Sequence, residues 1–83
     1  MKTLTFFTRD GCHLCEQALA TLLRIRQSQP FALDVVDLDR DASPEKRVAY
    51  DWEIPVVELE GKQVMHGRID ESRLARLLDG AAS

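Results

Sequence analysis

The chain has 83 residues, 45% of them hydrophobic, and its 14 acidic and 11 basic residues give a net charge of −3. This length fits a single domain, residues 1–83, that can fold without a metal or a structural disulfide. The acidic balance and the lack of a Lys/Arg cluster argue against a nucleic-acid surface and a polybasic membrane surface. Because no apolar stretch is long enough for a signal peptide or a spanning helix, we expect a cytoplasmic protein.

The first half of the chain alternates strand and helix patterns. Residues 2–8, rich in Thr, Leu and Phe, are predicted to form a buried strand that Asp10-Gly11 ends. Apolar residues at helical spacing predict a helix over 13–27. Residues 31–38, which follow Ser28-Gln29-Pro30, are predicted to form a second strand.

The second half of the chain is predicted to form a short helix, a hairpin and a final helix. Ser43-Pro44-Glu45 is typical of a helix start, because it offers a capping hydroxyl, a proline at the first helical position and an acid in the first turn. The other predicted features are strands at 56–59 and 63–66, a turn at Glu60-Gly61-Lys62 between them, and a helix that Asp70 caps and Gly80 ends.

The resulting order, β-α-β-α-β-β-α, predicts an α/β fold. The first β-α-β unit requires a parallel pair of strands with a right-handed crossover, whereas the third and fourth strands form an antiparallel hairpin. The sequence therefore predicts a mixed four-stranded sheet flanked by helices.

The motif Cys12-His13-Leu14-Cys15 holds the only two cysteines of the chain. It follows the first strand and opens the first helix, so Cys12 is expected where unpaired backbone N–H groups point outward. That environment favours the thiolate, which is the reactive form of cysteine. The spacing therefore predicts dithiol redox chemistry, with Cys12 as the nucleophile and Cys15, one turn deeper, as the resolving thiol.

Other uses of the cysteine pair are weaker. A structural disulfide across two residues closes a very small loop and constrains little. A closed zinc site takes about four ligands, and only His13 and His66 remain as further soft donors. Cys15 alone could be an ordinary buried thiol. The remaining alternative is a non-catalytic module that binds a protein partner, a metal or an iron–sulfur cluster shared between two chains.

Two neighbouring side chains also need an interpretation. His13 either stabilises the thiolate by a hydrogen bond or partial positive charge, or points into solvent. Tyr50, Phe31 and Trp52 are interpreted as packing residues, because large aromatic side chains dominate small cores. For Trp52 the alternative is a place at the rim of the site, because it closely precedes Ile54-Pro55.

Together, the element order, the cysteine pair after the first strand and Ile54-Pro55 before the third resemble the thioredoxin fold, and within it the glutaredoxins. The resemblance covers nearly the whole chain. It implies that the Ile54-Pro55 bond is cis and faces the cysteines. It also implies that the backbone of Ile54 offers N–H and C=O groups to glutathione or to an extended peptide.

The same resemblance implies further site residues. Arg9 lies where many glutaredoxins carry a lysine that contacts glutathione and favours the thiolate. Gly67 and Asp70 lie near the residues that hold glutathione, although His66-Gly67 stands where two glycines are usual. The sequence therefore predicts a monomeric thiol–disulfide oxidoreductase with no bound cofactor or metal, whose partners are glutathione or a protein disulfide substrate. Glutathione is the expected reductant, and a protein reductase is the alternative. The nearest resemblance is to small glutaredoxin-like proteins with a histidine after the first cysteine.

Overall fold

The computed structural model describes residues 1–80 as a four-stranded sheet with three helices. Its elements are β1 Thr3–Thr8, α1 His13–Ser28, β2 Ala32–Asp37, α2 Pro44–Tyr50, β3 Val56–Leu59, β4 Lys62–His66 and α3 Glu71–Gly80. This order confirms the predicted one. The predicted end of the last helix depends on residues 81–83, which lie outside the described residues.

The sheet has the strand order β2-β1-β3-β4. The two inner strands, β1 and β3, are antiparallel, with Phe7 opposite Val56. The edge strand β2 is parallel to β1, and β4 is antiparallel to β3. The predicted mixed sheet is therefore confirmed. Because β1 and β3 run in opposite directions, the end of β1 lies beside the start of β3.

The hairpin between β3 and β4 is tighter than predicted. Glu60 and Gly61 both adopt positive φ angles, 52° and 82°, and Lys62 pairs with Leu59. Two consecutive residues with positive φ are typical of a two-residue hairpin turn, whose twist matches that of the strands it joins. The prediction that Lys62 belongs to the turn is therefore wrong, since Lys62 is the first residue of β4.

Side chains of β1 alternate between two cores, as expected for a strand buried on both faces. Leu4 and Phe6 face α1 and α3, whereas Phe7 faces α2. The α1-side core comprises Leu4, Phe6, Cys15, Ala18, Leu22, Ile25, Phe31, Val57, Met65 and Leu74. The smaller α2-side core comprises Phe7, Leu38, Tyr50 and Val56.

The aromatic residues do not all pack as predicted. Phe31 and Tyr50 are buried, but Trp52 is 94% exposed, so its interpretation as a packing residue is wrong. Trp52 lies after the end of α2, in the segment that leads to β3, and its side chain extends away from both cores. None of the helices in residues 1–80 is both long and apolar enough to cross a membrane.

Candidate active site

The two cysteines lie at the end of β1, where the chain turns into α1. Gly11 has a φ of 76°, a backbone conformation that only glycine adopts without strain, and it allows the sharp entry into the helix. Cys12 is the residue that caps α1, and Cys15 lies in its first turn. The predicted strand–loop–helix setting of the motif is therefore present.

The sulfur of Cys12 takes the place of the usual capping oxygen. Its Sγ accepts the backbone N–H of Cys15 at 3.1 Å, while the Cys12 carbonyl accepts the N–H of Glu16 at 3.1 Å. The first N–H groups of a helix and its dipole both favour negative charge at this position. A reduced Cys12 thiol would therefore lie where its ionised form is stabilised.

The two sulfurs are within bonding distance and form a disulfide, with the Cα atoms 5.2 Å apart. The two cysteines differ in exposure, since Cys12 is half-buried and Cys15 is only 2% exposed. Cys15 packs within the α1-side core, whereas Cys12 lies at the rim of that core. A substrate approaching from solvent therefore meets Cys12 first.

His13 is the first residue of α1 and is exposed. Its ring takes part in no hydrogen bond or ion pair within the part of the chain that the structure describes. It lies next to Cys12 in sequence, and its predicted effect on the thiolate stays a prediction.

Arg9 has partners that the sequence analysis did not identify. Its guanidinium forms two hydrogen bonds of 2.8 Å with the Asp39 carboxylate and one of 2.6 Å with the Asp51 carboxylate. These hydrogen bonds, to Asp39 first and then to Asp51, raise the pKa of Arg9, and the bond to Arg9 lowers the pKa of Asp39. Two carboxylates thus surround one guanidinium, which weakens the case for Arg9 as a cation that stabilises Cys12.

One of these partners could have been found from the sequence. Asp39 follows β2, and the ends of parallel strands meet at one edge of a sheet, so the parallel pairing of β1 and β2 brings Arg9 and Asp39 together. Asp51 follows α2, and no local pattern indicates that it reaches the end of β1.

The Ile54-Pro55 bond is cis, as the resemblance implies. Pro55 is buried, and the Ile54 side chain packs against both cores. However, the Ile54 N–H already donates to the Tyr50 carbonyl at 3.1 Å. The expectation that this N–H is offered to a substrate is therefore wrong for this structure. The Ile54 carbonyl accepts no backbone hydrogen bond from residues 1–80, so its oxygen can still accept a hydrogen bond from another molecule.

Gly67 joins the end of β4 to the Ile54-Pro55 segment. Its N–H donates to the Pro55 carbonyl at 2.7 Å and to the Glu53 carbonyl at 3.2 Å. Gly67 also has a φ of 70°, which favours glycine. This residue therefore fixes the loop that joins β4 to α3 against the Ile54-Pro55 segment.

Asp70 is the capping residue of α3, as predicted. Its Oδ1 accepts the N–H of Arg73 at 3.0 Å, and its carbonyl accepts the N–H of Leu74 at 2.9 Å. A cleft of about 200 Å³ separates the nearby β4–α3 loop from α1. The cleft is lined by Leu14, Gln17, Ala18, Thr21, Gly67, Arg68 and Ile69.

The described residues contain no group of three or more His, Cys, Asp and Glu side chains placed to hold a metal ion.

Comparison with known proteins places this geometry in a family. A family profile described as Glutaredoxin-like domain (DUF836) matches residues 3–79. A Dictyostelium discoideum protein described as a homolog of a glutaredoxin-like protein is 28% identical over 75 residues, which are 86% of this chain and 69% of that protein.

Solved structures agree. A protein from X. campestris is 35% identical and superposes with a TM-score of 0.72 over 93% of this chain and 96% of its own. A mutant thioredoxin from Halobacterium salinarum, 23% identical, superposes with a TM-score of 0.73 over 99% of this chain and 75% of its own. The second likeness shows the fold, which is thioredoxin-like as the sequence predicted.

Proposed function

Because the chain belongs to the glutaredoxin-like family, we propose that it is a thiol–disulfide oxidoreductase that uses Cys12 and Cys15. The observation that carries the proposal is the Cys12 sulfur at the N-terminus of α1, accepting the Cys15 N–H at 3.1 Å. A sulfur in that position is favoured as a thiolate, and a second sulfur lies within bonding distance of it.

The reaction follows from the different exposure of the two sulfurs. The Cys12 thiolate attacks one sulfur of a substrate disulfide, and a mixed disulfide forms as the other substrate sulfur leaves as a thiolate and takes up a proton. Cys15 then loses its proton and attacks the Cys12 sulfur. The Cys12–Cys15 disulfide forms, the second substrate thiolate leaves, and two electrons have passed to the substrate.

Glutathione is the proposed reductant. Two glutathione thiols return the Cys12–Cys15 disulfide to the dithiol and leave as glutathione disulfide, which balances the electrons. The family and the cleft near Gly67 and Asp70 support this choice. The contacts of Arg9 with two carboxylates and of the Ile54 N–H with Tyr50 do not. Glutathione binding by Arg9, Ile54, Pro55, Gly67 and Asp70 therefore stays a prediction.

A pH titration of alkylation by iodoacetamide tests the proposed thiolate. In the reduced protein we expect one thiol, Cys12, to react with a midpoint below the usual cysteine pKa of about 8.5. Cys12→Ser should remove this fast phase, whereas Cys15→Ser should keep it and accumulate a mixed disulfide with glutathione disulfide, detectable by mass spectrometry. His13→Gln should raise the midpoint, because it removes a potential donor or cation beside the sulfur.

The variants also separate the possible failures. An ordinary midpoint near 8.5, or fast labelling that persists in Cys12→Ser, would contradict the assigned nucleophile. If the fast-reacting thiolate forms mixed disulfides with a small synthetic disulfide but not with glutathione disulfide, the proposed oxidoreductase activity stands. Glutathione is then excluded as its reductant.

A further inference from the structure

An exposed apolar surface lies at the end of α2, in the segment that leads to β3. We call it the Trp52 surface: Trp52 and Val48, with the flanking Arg47 and Asp51. Trp52 is 94% exposed and Val48 is 81% exposed. They are four residues apart, and Asp51 retains helical backbone angles, so the two side chains lie on the same side of α2 and its extension. The four residues line an open depression of about 370 Å³.

The topology places this surface at the same edge of the sheet as Cys12. Phe7 of β1 pairs with Val56 of β3, so the segment before β3 and the segment after β1 lie at the same edge of the sheet. Arg9, three residues before Cys12, bonds to both the carboxylate and the carbonyl of Asp51, the residue before Trp52. An extended segment bound at the Trp52 surface therefore lies at the same edge of the sheet as Cys12.

A cluster of charged side chains adjoins the Trp52 surface through Asp51, and its net charge is negative. Arg9 and Arg40 are each paired with two carboxylates. Arg47 lies close enough to Asp39 to lower the pKa of that carboxylate, and Asp41 lies close enough to Arg40 to raise the pKa of that guanidinium. The set has three cations, Arg9, Arg40 and Arg47, against five anions, Asp10, Asp37, Asp39, Asp41 and Asp51, so its net charge is −2. A cationic ligand is attracted to such a region, whereas glutathione, which is itself anionic, is not.

We infer that the Trp52 surface binds an extended polypeptide segment of a substrate protein that carries Lys or Arg near the cysteine attacked by Cys12. The inference rests on the proposed function and specifies its substrate class. An exposed indole suits this ligand because it packs against apolar side chains and attracts cations to its face. The Ile54 carbonyl, which accepts no backbone hydrogen bond from residues 1–80, can accept one from the backbone of the same segment.

The test uses the full chain with Cys15→Ser, so that only Cys12 reacts. Two cysteine peptides, one with lysines and one with glutamates beside the cysteine, are each activated as a mixed disulfide with thionitrobenzoate. Cys12 attacks the peptide sulfur, a protein–peptide disulfide forms, and coloured thionitrobenzoate leaves. We expect the lysine peptide to react about tenfold faster than the glutamate peptide, and this ratio to shrink at high salt.

Trp52→Ser should slow the lysine peptide about tenfold and leave the reaction with hydroxyethyl disulfide, which is small and uncharged, within about twofold. The matched control is Leu23→Ser, because Leu23 is a partly exposed apolar residue on α1 outside this surface. It should leave both reactions unchanged.

Four results would overturn the inference. The first two are equal rates for the lysine and glutamate peptides, and an equal effect of Trp52→Ser and Leu23→Ser on the lysine peptide. The third is an equal slowing by Trp52→Ser of the reactions with the lysine peptide and with hydroxyethyl disulfide. The fourth is a dimer in sedimentation that Trp52→Ser dissociates. The last result would show that the Trp52 surface binds a second copy of the chain instead of a substrate. If Cys12 fails to react even with hydroxyethyl disulfide, the proposed function itself is wrong.

Discussion

The two faces of the sheet are stabilised in different ways. The α1-side core is apolar, and one of its buried members is Cys15, the proposed resolving thiol. The smaller α2-side core borders a polar group. There the Glu58 carboxylate, in a residue only 5% exposed, accepts a hydrogen bond of 2.6 Å from the Tyr50 hydroxyl and forms an ion pair with Lys46. The Lys46 ammonium also lies 5.3 Å from the centre of the Tyr50 ring.

The difference shows how each face contributes to the site. The apolar face holds α1, the helix that carries the two cysteines. On the polar face, Tyr50 is fixed at its hydroxyl by Glu58, and its carbonyl accepts the N–H groups of Glu53 and Ile54. The segment between α2 and β3, which includes Trp52, is therefore anchored through Tyr50.

The largest expected effect comes from truncating the apolar core. Leu22 on the α1 side and Leu38 on the α2 side are both fully buried. We expect Leu22→Ala to reduce the free energy of unfolding by about 3–5 kcal/mol and Leu38→Ala by about 2–3 kcal/mol, because fewer buried residues surround Leu38. Urea denaturation of the oxidised protein measures both. A larger loss for Leu38→Ala would contradict the assignment of the main core.

An intermediate effect is expected from breaking the polar group. Lys46→Met leaves the buried Glu58 carboxylate with Tyr50 as its only side-chain partner among the described residues, and we expect a loss of about 2 kcal/mol. Breaking a fully buried pair costs about 3–5 kcal/mol, but Lys46 is partly exposed, which reduces the effect.

The control for this experiment is Lys46→Met combined with Glu58→Gln. The amide keeps an acceptor for the Tyr50 hydroxyl and removes the charge, so we expect the double variant to recover part of the lost stability in the same urea measurement. A double variant less stable than Lys46→Met alone would show that the Glu58 charge is not the cause.

The smallest expected effect is a loss of stability at alkaline pH. Burial and the hydrogen bond to Glu58 raise the pKa of Tyr50 above its ordinary value of 10.0. The hydrogen bond to Glu58 raises the pKa of Lys46 above 10.5. A raised pKa means that the folded state binds the proton more tightly, so this stability is complete below about pH 10 and is lost as pH rises through the folded pKa values.

Tyr50 is the only tyrosine in the chain, so phenolate absorbance reports its ionisation directly. We expect urea denaturation of the oxidised protein to show lower stability at about pH 11 than at about pH 8, and Tyr50→Phe to reduce that difference. A phenolate that forms at an ordinary pKa in the folded protein would contradict the burial of this side chain.

The sequence by itself determined the order of elements and the place of the redox pair. Short apolar runs predict the strands, helical spacing predicts α1, and capping residues such as Ser43 and Asp70 predict where helices begin. These signals are local, since each depends on residues within a few positions along the chain. The position of Cys12 at a helix start is local in the same sense.

Only the tertiary structure decided what the side chains around the site contact. The pairing of Arg9 with Asp51, the hydrogen bond between the Ile54 N–H and Tyr50, and the exposure of Trp52 all depend on how α2 lies against the sheet. The burial of Glu58 in a strand of otherwise apolar residues has the same origin. Contacts between distant parts of the chain are set by packing, and no spacing along the sequence encodes them.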